Sequence, residues 1–180
     1  MKLLKTIRLD PSDTFVFEAA AEPGEWAVSG AFAFWDVDAA SLQGKPRTAF
    51  RSGFLGVVSG GRSTLVQVVE AAPADRDAAT DQLAQQLVER FGAPNLVEAR
   101  AAAAEEVSFA ASLCNQPLDT LIAVHRTLEK GEIRESFRTL RPRGDPKQLP
   151  VFSLVAMEGD GDDEPGETID LAALAREQQP

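Results

Sequence analysis

Trp26-Ala27-Val28-Ser29-Gly30-Ala31-Phe32-Ala33-Phe34, read on into Trp35, is the stretch whose reading decides the fold. Trp26, Val28, Gly30, Phe32 and Phe34 fall on one side, and Ala27, Ser29, Ala31 and Ala33 on the other, a period of two. Large apolar groups on one face and only small ones on the other describe a strand covered on both sides, because the small face lets a second layer approach closely. The stretch therefore predicts a central strand with Trp26, Val28, Phe32 and Phe34 in the core.

Upstream, Thr6 to Leu9 is a short extended segment closed by the turn residues Asp10-Pro11-Ser12-Asp13. Thr14 to Glu18 follows with Phe15 and Phe17 on one face, so the two segments predict a hairpin. Glu22-Pro23-Gly24-Glu25 then turns the chain into the central strand. Downstream, Asp36 and Asp38 can cap a short helical turn through Leu42. Gly44, Pro46, Gly53, Gly56, Gly60 and Gly61 break any longer element, which predicts an irregular connection over residues 36–62, with Phe54 to Val58 as the strand it could conceal. Thr64 to Val69 reads as a strand apolar on both faces.

Pro73 suits a first helical position, with Asp75 and Asp77 in the first turn. Leu83, Leu87, Val88 and Phe91 recur at helical spacing as far as Gly92. Pro94 predicts the start of a second helix, with a seam of Leu96, Val97, Ala103, Val107, Ala110 and Cys114. Leu121 to Leu128 and Ile133 to Leu140 flank Glu129-Lys130-Gly131-Glu132 and predict a β-hairpin. With Lys130-Gly131 as its two-residue loop, Leu128 faces Ile133, Arg126 faces Glu135 and Val124 faces Phe137. Val151 to Met157 reads as one more strand beyond a turn-rich link from Pro142 to Pro150. The fold class is α+β, a mainly antiparallel sheet with two consecutive helices packed on one face.

A chain of 180 residues accommodates one full core, giving a single domain over residues 1–157. Residues 158–180 form an acidic tail, expected to be mobile over Glu158 to Glu167, with a short helix at Leu171 to Ala175. The net charge is −10, which disfavours nucleic acid as a partner. The charge is uneven: residues 119–150 hold seven basic and five acidic side chains, residues 151–180 one basic and eight acidic. The apolar runs are too short for a bilayer and the N-terminus lacks an apolar leader, so a cytoplasmic chain with no membrane partner is expected. The single cysteine fits a reducing compartment.

Chemistry-bearing motifs are scarce. His125 is the lone histidine, so no paired-histidine metal or catalytic site can form. Cys114 reads as a small core residue on its helix seam. The glycines from Gly53 to Gly61 match neither a Gly-x-Gly-x-x-Gly nor a Gly-Lys-Ser/Thr pattern. Asp160, Asp162, Asp163 and Glu164 lack the ordered ligand pattern of a calcium loop. No catalytic residue, metal or cofactor is assigned. What remains is a face of the hairpin: alternation puts His125, Arg134, Ser136 and Arg138 opposite Val124 and Phe137, a partly cationic surface suited to an anion.

Arg8-Leu9-Asp10-Pro11-Ser12-Asp13-Thr14-Phe15-Val16-Phe17, followed by Gly24-Glu25-Trp26-Ala27-Val28-Ser29-Gly30, resembles the N-terminal part of a small family of uncharacterised bacterial proteins. Members are encoded near the assembly factors of molybdenum-containing formate dehydrogenases, and the resemblance implies an accessory role in assembling a redox enzyme. The expectation is an accessory domain that works by contacting another protein, with a homo-oligomer as a possible form. The alternative is a small-molecule or anion-binding enzyme with its site between loop 36–62 and hairpin 120–140. A nucleic-acid binder using Arg134, Arg138, Arg141, Arg143 and Lys147 ranks third.

Overall fold

The computed structural model describes residues 1–142 and 152–155. The first strand, β1 (Lys2–Ile7), runs antiparallel to β5 (Leu65–Glu70), with Leu4 opposite Val68 and Thr6 opposite Val66. Between them lie α1 (Ser12–Val16), β2 (Ala27–Val28), a 3₁₀ turn (Ala31–Phe34), α2 (Gly44–Ser52), β3 (Phe54–Gly56) and β4 (Arg62–Ser63). After β5 come α3 (Pro73–Arg90), α4 (Leu96–Ser112), β6 (Leu121–Glu129), β7 (Glu132–Pro142) and β8 (Phe152–Val155). Five strands form an antiparallel sheet in the order β1-β5-β6-β7-β8, and β2-β3-β4 form a second, antiparallel sheet. A single bridge between Lys5 and Trp26 joins them, with the Lys5 ammonium over the Trp26 ring at 4.4 Å.

The core forms where the helical seams meet one face of the larger sheet. Leu4, Val66, Val68, Ile122 and Val124 from that face cluster with Leu83 and Leu87 of α3 and Ala99, Ala103, Val107 and Ala110 of α4. Val28, Phe54 and Leu55 of the small sheet close the cluster. Helix α3 starts as its composition dictates, with Pro73 at the first position and Asp75 accepting from the Ala72 amide at 2.8 Å. Helix α4 is capped by Asn95, whose Oδ1 accepts from the Glu98 amide at 2.9 Å, so it begins two residues beyond Pro94. Its first turn points outward: Leu96 and Val97 are exposed, and the buried seam is carried by the alanines with Val107 and Cys114. The α+β class, with a mainly antiparallel sheet and two consecutive helices on one face, is the observed one.

The opening stretch is not a central strand. Ala27 and Val28 pair against Gly56 and Leu55, Trp26 makes the single bridge to Lys5, and Gly30 then takes φ 73° and turns the chain into the 3₁₀ segment. A period-two pattern of aromatics among alanines is compatible with a tight helical turn, because alanine favours helix and the left-handed Gly30 releases the strand. Val28 and Phe34 are buried as expected, whereas Trp26 and Phe32 are half-buried. The N-terminal hairpin does not form either: β1 pairs with β5, and Thr14 to Val16 is helical. Phe15 is consequently 70% exposed while Phe17 is buried.

Residues 36–62 contain more order than their glycines suggest. Pro46 occupies the first turn of α2, where its missing N–H is not needed, and Gly44 at φ 58° leads the chain in. The C-terminal hairpin is built as read: Leu128 faces Ile133, Arg126 faces Glu135 and Val124 faces Phe137, with Lys130 and Gly131 both at positive φ. The expected link from Pro142 to Pro150 falls beyond the described residues from residue 143 on, and so do the acidic tail, its terminal helix and the aspartates from Asp160 to Asp163. No helix among the described residues is long and apolar enough to cross a membrane.

Candidate functional site

Strand β6 places Arg126 on the core face, in line with Ile122 and Val124, and the result is a fully buried guanidinium. Removing an ion from water is tolerable only if its hydrogen bonds are all met. Arg126 Nε donates to Glu135 Oε1 at 2.7 Å. Its Nη1 donates to the carbonyls of Phe50 and Gly53, each at 3.0 Å, and Nη2 donates to the Ser29 carbonyl and, at 3.0 Å, to Ser29 Oγ. Ser29 Oγ in turn donates to Glu135. One side chain thus ties the hairpin to the end of α2 and to the end of β2.

Beside it, Arg62 donates from Nη1 to the carbonyls of Gly30 and Gly53, both at 3.4 Å, and lies 4.9 Å from the Phe34 ring centroid. Burial, with the neighbouring Arg126 charge, pulls its pKa down to about 9. Gly30 has no room for a side chain, since a Cβ would sit 2.6 Å from Leu55 Cβ. These contacts fix the direction in which the 3₁₀ turn leaves the sheet. That direction matters because the turn carries Phe32, Phe34 and Trp35.

The turn forms a ridge between two cavities. One, of about 390 Å³, lies between Phe32, Phe34, Trp35 and the hairpin tip at Leu128 and Ile133. The other, of about 510 Å³, lies between Phe32, Trp35 and the start of α4, with Leu87 and Phe91 in its wall. Phe32 meets Phe91 edge to face at 5.2 Å. Trp35, at 85% exposure, stands over both. Phe32, Trp35, Val37 and Glu106 line the two cavities alike.

Glu106 is the chemically distinctive member. It projects from α4 beside the Ala103–Val107 seam, is half-buried, and makes no hydrogen bond or ion pair among the described residues. Burial, with Glu135 and Glu105 nearby and Arg126 only partly offsetting them, pushes its carboxyl up to about 7. Among the described residues no lysine, arginine or histidine lines either cavity, while Asp36, Glu98, Glu105 and Glu132 do.

The four residues expected to form an anion site are brought only partly together. His125 and Ser136 are register partners, and Ser136 Oγ donates to the His125 carbonyl at 3.2 Å. Arg138 lies close enough to help depress the His125 pKa, after burial and Arg51. Arg134 instead turns toward Glu129 at 3.5 Å and Glu132 at 4.0 Å. Arg51 is the member the sequence hid, because α2 was read as loop. With Arg47 it borders a separate hollow of about 290 Å³ between α2 and β6, which is where loop 36–62 meets the hairpin.

Cys114 is buried, donates to the Ala110 carbonyl at 3.4 Å, and has its thiol pKa pushed up by burial to about 11, so it is no nucleophile. Among the described residues no group of three acidic, histidine or cysteine side chains is placed to hold a metal.

A family model matches residues 1–157, far beyond the residues that carried the resemblance. The chain belongs to the family of unknown function DUF6505. No curated protein and no solved structure matches it. Membership of DUF6505 brings no assigned active residue, so the role of the groove rests on its own geometry.

Proposed function

We propose that this DUF6505 domain is a cytoplasmic accessory module that docks a partner protein in the groove around Trp35, in the service of assembling a redox enzyme. The observation that carries the docking reading is Trp35 itself, a large apolar side chain left 85% exposed above two cavities walled by aromatic and aliphatic groups. Tryptophan at the centre of an apolar patch is the residue type on which interface energy concentrates. The resemblance implies an association with formate dehydrogenase assembly factors, from which the class of partner is taken, and the lone buried cysteine suits a reducing compartment. A pull-down from native extract tests it: Trp35→Ala should abolish retention of a partner that the unchanged protein and Arg51→Ala both retain. Equal retention by all three removes the reading.

A second reading, an anion-binding site, is supported by Arg51 and Arg138, whose positive charges both lower the pKa of His125. It differs from the first in needing the outer face of the hairpin and no part of the Trp35 groove.

A further inference from the structure

The two cavities are separate spaces that share one border, and an acid stands on it. An occupant that fills both must cross that border. It would place an apolar group on either side of the Phe32–Trp35 ridge and whatever lies between them against Glu106. We propose that the occupant is a segment of a partner protein bearing a lysine or arginine between two apolar side chains, the base pairing with the Glu106 carboxylate while its neighbours enter the cavities. This rests on the docking reading above and adds the chemistry of the partner.

Charge complementarity carries the choice. Glu106 has no hydrogen-bonding or ion-pairing partner of its own among the described residues, so its carboxylate is available to a donor from outside. The charged residues that line the two cavities with it are, among the described residues, all acidic: Glu98 and Glu105 from α4, Asp36 beyond the 3₁₀ turn, and Glu132 at the hairpin tip, and the charges of Glu135 and Glu105 bear on it directly. Arg126, the cation whose charge partly offsets these, is committed to Glu135, Ser29, Phe50 and Gly53. An acidic occupant would meet like charge throughout. A base held on an aliphatic stem fits instead, with its stem along Phe32 and Trp35 and its head at the acid.

The same geometry predicts a pH dependence. With a carboxyl titrating at about 7, Glu106 is mostly protonated at pH 6 and charged at pH 8. A cationic occupant therefore binds more tightly as pH rises through 7, and a neutral one does not.

Capped nine-residue peptides, identical except for lysine, norleucine or glutamate between a leucine and a phenylalanine, test this by fluorescence anisotropy with the full chain at pH 8. The lysine peptide should bind at least about tenfold more tightly than the norleucine peptide, an advantage lost in Glu106→Gln and at pH 6. Equal binding of the lysine and norleucine peptides, both weakened by Trp35→Ala, overturns the charge inference and keeps the docking reading. Failure of every peptide, together with unchanged partner retention by Trp35→Ala, overturns both. Binding of 4-phenylbutylamine as tight as the lysine peptide overturns a protein segment in favour of a small amine. Self-association of the unchanged chain that Trp35→Ala abolishes assigns the groove to a second copy and equally overturns the proposal.

Discussion

Arg126 Nε and Glu135 Oε1 lie 2.7 Å apart across the β6–β7 hairpin, and that pair holds together three parts of the chain distant in sequence. Glu135 also receives Ser29, and Arg126 reaches Phe50 and Gly53. Truncating Arg126 strands a partly buried carboxylate and several carbonyls at once, whereas neutralising Glu135 leaves the guanidinium its carbonyl partners. Arg126→Met should therefore cost about 3 to 5 kcal/mol and Glu135→Gln clearly less, measured by urea unfolding. A cost below about 1 kcal/mol for Arg126→Met would mean that the buried guanidinium ties nothing together.

Gly30 sets where the groove lies. At φ 73°, with Leu55 Cβ 2.6 Å from the position a methyl group would take, Gly30→Ala combines backbone strain with a clash. Gly24 also has positive φ, 87°, but opens onto empty space. Gly30→Ala should lower stability by roughly 2 kcal/mol or more and Gly24→Ala by only about 1 kcal/mol, with thermal unfolding as the readout.

Glu106 opposes folding when charged. Its carboxyl is raised to about 7 by burial and by Glu135 and Glu105, against 4.5 when unperturbed. The folded state thus holds a proton that the unfolded state has lost between those values, and stability falls as pH rises from about 4.5 to 7. Glu106→Gln should gain about 1 to 3 kcal/mol at pH 8, an amount reduced by the group's partial exposure, and little at pH 4.5. A gain that is the same at both pH values would show that the carboxyl is not perturbed.

How much of this was legible in the sequence depends on the element. The hairpin register followed from Lys130-Gly131 and from chemically matched pairs, and it already set Arg126 opposite Glu135. That Arg126 is buried was also available, since it alternates with Ile122 and Val124 on the core side. The path of residues 26–35 was not, because alanine and phenylalanine at period two suit a strand and a short 3₁₀ turn alike. Only the tertiary fit of Gly30 against Leu55 separates them. Helix α2 was hidden by Gly44 and Pro46, read as breakers though both sit where a helix begins. With α2 unseen Arg51 could not be placed, with residues 26–34 read as a strand the ridge could not, and nothing in the alanine-rich helix marked Glu106.

His125 reports on the second reading. Its pKa lies below the ordinary value because burial, Arg51 and Arg138 all disfavour the imidazolium. An anion bound between those arginines would offset them and raise it. Since the chain has a single histidine, one resonance follows the titration by NMR. Phosphate should shift the midpoint upward in the unchanged protein and not in an Arg51→Ala, Arg138→Ala double variant. No shift in either removes the anion site.

The role of the groove can be read at the side chain that defines it. A photo-crosslinking phenylalanine analogue placed at position 35, compared with the same analogue at Phe15, another largely exposed aromatic, can be irradiated in cells that express the chain. The docking account predicts one dominant adduct at position 35, none of that mass at position 15, and loss of the adduct when Glu106 is replaced by lysine. Matching adduct patterns at both positions, or none at position 35, would contradict it.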